Sequence, residues 1–251
     1  MPPRQFGWAA AAGAAAHVFV ADLADECVVQ GDDGHHLQRV RRLRAGEAVT
    51  AANGSGGWRS YEISRVEPGT VHLVATAPAR DEPQTVPQCS VAVALTKGSG
   101  LDDVVASLTE LGVSRIEPLR SARSVVRWDD ARGRAAVGRW QEIAREAAMQ
   151  SRRARVPEVA PLRDFASLRD RADLVLADRA GVAAGALAAP AGGIWTVVVG
   201  PEGGFAPEEL TLLGAAVRVA VGRHVLRAQT APLAVVAALT LSTTTVPDVV
   251  N

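Results

Sequence analysis

Apolar positions along the chain fall into two textures. Up to about residue 76 they come in short β-rich runs, at residues 17–20, 47–52, 58–66 and 70–76. Asn53-Gly54-Ser55-Gly56-Gly57 supplies the turn between two of these runs. One helix interrupts them, from about Asp33 to Arg42, with Leu37, Val40 and the stem of Arg41 facing inward. Such a pattern predicts a small closed or nearly closed β-barrel over residues 1–76. Residues 77–87 hold three prolines and several charges and read as a linker.

Beyond the linker, residues 88–251 alternate between buried strands and helices. Strands are predicted at 91–95, 115–119, 174–178, 194–200 and 217–221, and helices at 101–111, 130–150, 207–216 and 231–242. On the long helix, Trp140, Ile143, Ala144 and Ala147 share one face. This alternation implies an α/β domain with a mostly parallel sheet covered on both sides.

Composition narrows the class without naming a function. The 251 residues carry 27 basic and 27 acidic side chains, and Lys97 is the only lysine. Hydrophobic residues at 48% and charged residues at 22% exclude wholesale disorder and collagen. Cys27 and Cys89 are too few for a disulfide framework or a zinc motif. No apolar run approaches the ~18 residues of a membrane span. The alanine run at residues 9–16 imitates a signal peptide only weakly, so a cytoplasmic protein is expected. Neither nucleotide-binding glycine fingerprint occurs, and no nucleophile elbow does. His35 and His36 are adjacent and diverge on a helix, so no metal site is expected.

The glycines carry more information. Val197-Val198-Val199 runs into Gly200-Pro201-Glu202-Gly203-Gly204-Phe205, and a second strand runs into Val221-Gly222-Arg223-His224-Val225-Leu226-Arg227-Ala228-Gln229-Thr230-Ala231. Loops at the carboxyl ends of parallel strands are where open sheets bind ligands. Taken alone, the first loop is as readily a tight connection as a binding loop. Two such loops, one helix and one strand apart, favour binding.

In these two segments the chain resembles the RsmE family of 16S rRNA uridine-N3 methyltransferases, in the SPOUT superfamily. Further blocks extend the resemblance: Thr109-Glu110-Leu111-Gly112-Val113, Arg123-Ser124-Val125-Val126, Arg139-Trp140, Val156-Pro157-Glu158, and, nearer the start, His36-Leu37 with Val40-Arg41-Arg42-Leu43-Arg44 and Gly46. The resemblance implies a PUA-like RNA-binding barrel followed by a methyltransferase domain with a deep trefoil knot, acting on 16S rRNA within the small ribosomal subunit. It also implies a homodimer formed through the C-terminal helix and S-adenosylmethionine as cofactor. Ala177, Asp178, Gly200, Pro201, Glu202, Gly203, Val221, Gly222, Val225, Leu226, Arg227, Thr230 and Ala231 would hold that cofactor. Gln229 stands where the family has glutamate; it cannot act as a base, and a packing or hydrogen-bonding role is expected.

The chemistry requires loss of the uridine imino proton. Glu202 is the candidate base, and Arg227 the candidate stabiliser of the developing anion, with a loop-fixing ion pair as Arg227's other role. For RNA, Arg39, Arg41, Arg42 and Arg44 cluster beside His36, and residues 115–155 hold eleven arginines against five acids. Arg139 and Arg145 are expected to pair with Glu142 and Glu146. Arg152, Arg153 and Arg155 lack nearby acids and join Lys97 and Arg123 as candidate RNA ligands. Loss of catalysis with retention of RNA binding is the competing reading, and transfer RNA is a third.

Overall fold

A computed structural model describes residues 13–35, 37–38, 42–96, 100–214 and 216–243. The chain forms two compact units. The first comprises residues 1–84 and 148–156, the second 85–147 and 157–251.

In the first unit, β1 (Ala16–Phe19), β2 (Glu26–Val29), β3 (Ala48–Ala52), β4 (Gly57–Glu67) and β5 (Thr70–Ala75) form a sheet in the order β1-β3-β4-β5-β2. The β1–β3 pairing is parallel, and the others are antiparallel. A short β6 (Arg80–Asp81) pairs with the start of β4, so part of the proline-rich stretch read as linker is a strand. Val18, Val29, Val49, Tyr61, Ile63 and Leu73 share one core, to which edge strands β1 and β2 both contribute. Of the helix expected over residues 33–42, the described residues show α1 (Gly31–His35) and π-helical backbone at residues 37–38, with Leu37 in the core. His36, Arg39, Val40 and Arg41 lie outside the described residues, as do residues 9–12 of the alanine run.

Residues 148–156 pack within this unit. Val156 donates its N–H to the Gly54 carbonyl at 2.9 Å, and Gly56 donates to that of Ala154 at 3.1 Å. His17 is the buried anchor, its Nε2 lying 3.1 Å from the Arg153 carbonyl and its Nδ1 2.8 Å from Thr50 Oγ1. A carbonyl only accepts, so Nε2 carries the proton and Nδ1 accepts from the threonine hydroxyl. Burial lowers the His17 pKa to about 4, which keeps the ring neutral.

The second unit is a seven-stranded parallel sheet built from β7 (Gln88–Ala94), β8 (Arg115–Arg120), β9 (Glu158–Val159), β10 (Arg163–Asp164), β11 (Leu174–Ala183), β12 (Ile194–Val199) and β13 (Val217–Ala220). Its order is β10-β8-β7-β12-β11-β13, with β9 also on β8. Helices α2 (Gly100–Glu110), α3 (Asp130–Gln150), α4 (Pro207–Leu212) and α5 (Thr230–Thr243) connect or follow the strands. Central strands β7 and β12 are buried along nearly their whole length, as a parallel sheet covered on both faces requires. Helix α5 packs on α2, β7, β11, β12 and a single 3-10 turn, Ala184–Ala186, burying Val235, Val236 and Leu239.

At the amino ends of these strands a polar cluster fixes the register. Arg171 bonds Glu117, Asp173 and Thr196, and Ser90 donates to Glu117 at 2.9 Å. Burial alone would raise the Asp173 pKa, but hydrogen bonds from Arg171 and Thr196, with the arginine's charge, hold it below its ordinary value. The opposite, carboxyl edge is left for chemistry.

Candidate cofactor and RNA site

Strand β12 ends at Val199, and β13 at Ala220, on the same edge of the sheet with β11 between them. Strand β11 does not run straight. Ala177 and Val182 both register against Val219, so residues 178–181 bulge out of the ladder. A Cβ at Gly181 would stand 2.4 Å from the backbone of Arg218 and Val219, so only glycine lets the bulge close onto β13. Asp178 fixes the bulge from its other end, accepting from the Ala180 N–H at 3.0 Å and pairing with Arg218 at 2.9 Å.

The bulge and the two glycine loops enclose a cavity of about 360 Å³. Its volume falls within the roughly 300–1,000 Å³ of small-molecule sites. Leu176, Val199, Phe205, Leu210, Val219 and Leu226 give it apolar walls. The Phe205 ring lies over Gly200, where a Cβ would meet it at 3.0 Å. Apolar walls beside glycine backbone suit a flat heterocycle carrying a polar chain, so the residues present fit S-adenosylmethionine.

Of the residues the sequence assigned to the cofactor, Ala177, Asp178, Gly200, Pro201, Glu202, Val221, Gly222, Val225, Leu226 and Ala231 line this cavity. Gly203, Arg227 and Thr230 do not. Gly203 instead accepts from Arg123 at 3.0 Å through its carbonyl. Arg227 is exposed, and its carbonyl accepts the N–H groups of Thr230 and Ala231 at 2.9 Å, seating the first turn of α5. Among the described residues its side chain forms no ion pair, contrary to the loop-fixing alternative. Arg179 and His224, which the sequence reading passed over, line the cavity. Gln229 is exposed and lies against Gly100 at the start of α2, where a Cβ would approach its Nε2 to 2.1 Å.

Glu209 is the largest omission. It is buried on α4, yet its carboxylate accepts from the Ala206 N–H at 2.8 Å, the Ala122 N–H at 2.8 Å and the Ser121 hydroxyl at 3.1 Å. One side chain therefore ties the glycine loop's exit to the turn after β8. Pro207 followed by Glu209 at the third helical position signals a helix start, which accounts for the Ala206 contact but not for the turn 87 residues away.

The arginines need correction. Arg139 pairs with Asp102 at 2.9 Å rather than with an acid on its own helix, and Trp140 donates to the same carboxylate at 2.8 Å. Arg120 pairs with Asp130 and Asp164, and Arg115 with Glu158. Arg152 donates to the Ala14 carbonyl, while Arg155 donates to those of Ser55 and Glu82. Arg153 is mostly buried, which lowers its pKa, and faces Glu82. These three hold residues 148–156 in the first unit, so their lack of neighbouring acids in sequence did not leave them uncommitted. Arg42, Arg44 and Arg123 are exposed. His36, Arg39, Arg41 and Lys97 lie outside the described residues.

Comparison with known proteins agrees with this architecture. Residues 82–240 match the RNA methyltransferase domain family and residues 29–76 the RNA methyltransferase PUA domain. The chain is 36% identical over 222 residues to ribosomal RNA small subunit methyltransferase E of Mycobacterium tuberculosis, covering 84% of each. It is 29% identical over 229 residues to the enzyme of that name from Bacillus subtilis, covering 86% of this chain and 90% of that one. Among solved structures, ribosomal RNA small subunit methyltransferase E from Neisseria gonorrhoeae bound to S-adenosyl methionine superposes with a TM-score of 0.79 at 26% identity, covering 90% of this chain and 97% of that one. The chain belongs to the ribosomal RNA small subunit methyltransferase E family of S-adenosylmethionine-dependent RNA methyltransferases.

Proposed function

We propose that this family member methylates N3 of a uridine in 16S rRNA, using S-adenosylmethionine held among residues 176–231. The observation that carries the reading is the cavity formed by the β11 bulge and both glycine loops at one sheet edge. Leu176, Leu226 and the backbone of the two loops would hold the cofactor's adenosine part. When bound, the cofactor supplies a sulfonium methyl whose bonding electrons stay on sulfur as the uridine nitrogen takes the carbon.

The chain's own residues then have three tasks. Glu202, exposed on the rim, takes the N3 proton so that the nitrogen's electron pair is free to attack. Arg227, exposed and without an ion-pair partner among the described residues, stabilises the charge that spreads onto the uracil oxygens. Arg42 and Arg44 of the first unit and, separately, Arg123 of the second bind RNA phosphate, and His36, Arg39, Arg41 and Lys97 are the remaining RNA candidates. The edge being methylated is the one that pairs in a duplex, so the target is bound unpaired.

The same reading includes a SPOUT-type trefoil knot. The chain leaves edge strand β13 and returns as α5 across β11 and β12 beside the turn at Ala184–Ala186, which supports a threaded path. The shared core of edge strands β1 and β2 supports a curled, barrel-like PUA sheet. Leu241, 81% exposed on α5, supports a homodimer through that helix. The substrate is taken within the small ribosomal subunit, in the cytoplasm.

Two measurements test the proposal. Titration calorimetry with S-adenosylmethionine is expected to show one site per chain; no binding would leave a non-catalytic RNA-binding protein. Nucleoside mass spectrometry of rRNA from cells with and without the gene is expected to show loss of 3-methyluridine, and an unchanged profile would overturn the assignment. Arg227→Ala should lower kcat about tenfold while cofactor affinity stays unchanged. That is less than the hundredfold or more of a buried oxyanion donor, because this arginine faces water. Normal turnover would remove the electrostatic role.

A further inference from the structure

Many arginines of the second unit are committed to the fold. Arg115, Arg120, Arg139, Arg171 and Arg218 each pair with a carboxylate. Arg179 and Arg223 do not. Both are exposed, and neither side chain forms a hydrogen bond or ion pair among the described residues. An exposed arginine is unremarkable by itself. These two leave adjacent strands beside the cofactor cavity.

Arg179 belongs to the bulge of β11, between Ala177 and Val182, which both register with Val219 of β13. Asp178 and Gly181 hold that bulge at its two ends, so Arg179 projects from a fixed segment, and it lines the cavity. Arg223 follows the end of β13 at Ala220 by three residues. Gly222 and His224, on either side of it, line the same cavity, which puts Arg223 at the mouth. The acids lining this cavity are Asp178 and Glu202. Asp178 is taken up by Arg218 at 2.9 Å. Glu202 follows β12, on the other side of β11 from β13, so the order along the edge is Glu202, Arg179, Arg223.

We infer that Arg179 and Arg223 clamp the phosphates that flank the acceptor nucleotide. This rests on the methyl-transfer reading above and says how the RNA strand is positioned at that site. An unpaired base that enters the cavity leaves its phosphates outside, because a charged group is costly to take out of water. Those phosphates therefore lie at the mouth. A guanidinium fork donates two parallel hydrogen bonds to phosphate oxygens, and one without a carboxylate partner does so without breaking an ion pair. Because both arginines stand at one edge, a single RNA strand meets them together. The cofactor's own carboxylate offers similar anion chemistry to Arg179, which lines the cavity, but not to Arg223, which does not.

The test is the double variant Arg179→Gln, Arg223→Gln in the full chain. Beside it stands a control, Arg163→Gln, Arg169→Gln, which removes the same charge from exposed positions on and after β10, at the other edge of the sheet. The readouts are affinity for small-subunit rRNA across a salt series, cofactor affinity by calorimetry, and kcat and KM for methyl transfer. For single strands the slope of log affinity against log salt changes by about 0.7 per phosphate contact, so losing two should flatten it by about 1.4. KM should rise about tenfold at physiological salt, while kcat at saturating RNA and cofactor affinity stay within about twofold. The control should keep the parental slope, and lysine at both positions should restore it, because lysine meets phosphate as a point charge. A parental slope in the glutamine variant, or an equal loss in the control, overturns the clamp and leaves the methyl-transfer reading intact. Weakened cofactor binding overturns it as well, since it assigns Arg179 to the cofactor's carboxylate. A parent enzyme that binds RNA and cofactor yet transfers no methyl sinks both readings together.

Discussion

Replacing Glu209 with alanine is expected to destabilise the second unit by about 3–5 kcal/mol and to remove measurable cofactor binding. The carboxylate is buried and accepts three hydrogen bonds, from Ala206, Ala122 and Ser121. Alanine would leave two backbone N–H groups and a hydroxyl without acceptors, at about 1–3 kcal/mol for each donor that water cannot reach. The functional loss comes through geometry. Ala206 follows Phe205, whose ring covers Gly200 in the cavity wall, so releasing Ala206 frees that wall. Glu209→Gln keeps one acceptor and the side-chain volume, so it should cost about 1–2 kcal/mol and weaken binding less. Urea unfolding and calorimetry on the parent and both variants check this. A stability order other than parent above glutamine above alanine would mean that the carboxylate is not the tie described.

Much of the second unit was legible because its signals are local. Strands β7 and β12 carry the apolar runs 91–95 and 197–199, the second ended by Gly200, and α3 was marked by the spacing of Trp140, Ile143, Ala144 and Ala147. Loops at strand ends announced the cavity, and most of its predicted lining is found there. What escaped was non-local. The β11 bulge depends on Gly181 meeting the backbone of β13, and nothing in Asp178-Arg179-Ala180-Gly181 displays that partner. Strand β2 buries only Cys27 and Val29 among exposed residues, too little alternation to stand out. Arg152 and Arg155 bond backbone carbonyls, which every residue offers and no composition reveals, so their commitment could not be seen. Glu209 joins both cases, its helix-start contact being local and its hold on Ser121 not.

Lowering the pH should open the first unit before carboxylate titration is complete, and His17 is the expected cause. Its folded pKa is lowered to about 4 by burial, against 6.5 for a free imidazole. Between those values the unfolded chain binds a proton that the folded one refuses, so stability rises with pH across this window. The contribution is fully present above about pH 6.5, falls as the pH drops, and is exhausted near pH 4. The difference corresponds to about 3 kcal/mol. The place where it is felt follows from the contacts, since His17 holds Thr50 of β3 and the Arg153 carbonyl. Opening should therefore release residues 148–156 together with β1. Hydrogen exchange by mass spectrometry at pH 7 and pH 4.5, corrected for intrinsic rates, reads this directly. Peptides spanning residues 16–20, 48–52 and 148–156 should lose protection together. His17→Asn, with no group to titrate, should start less stable at pH 7 because a buried ring is lost, yet change far less between the two pH values. An unaltered pH slope in that variant would remove His17 as the cause, whereas Asp173 of the second unit, whose pKa is lowered, loses its contribution only below the ordinary aspartate range and so below this window.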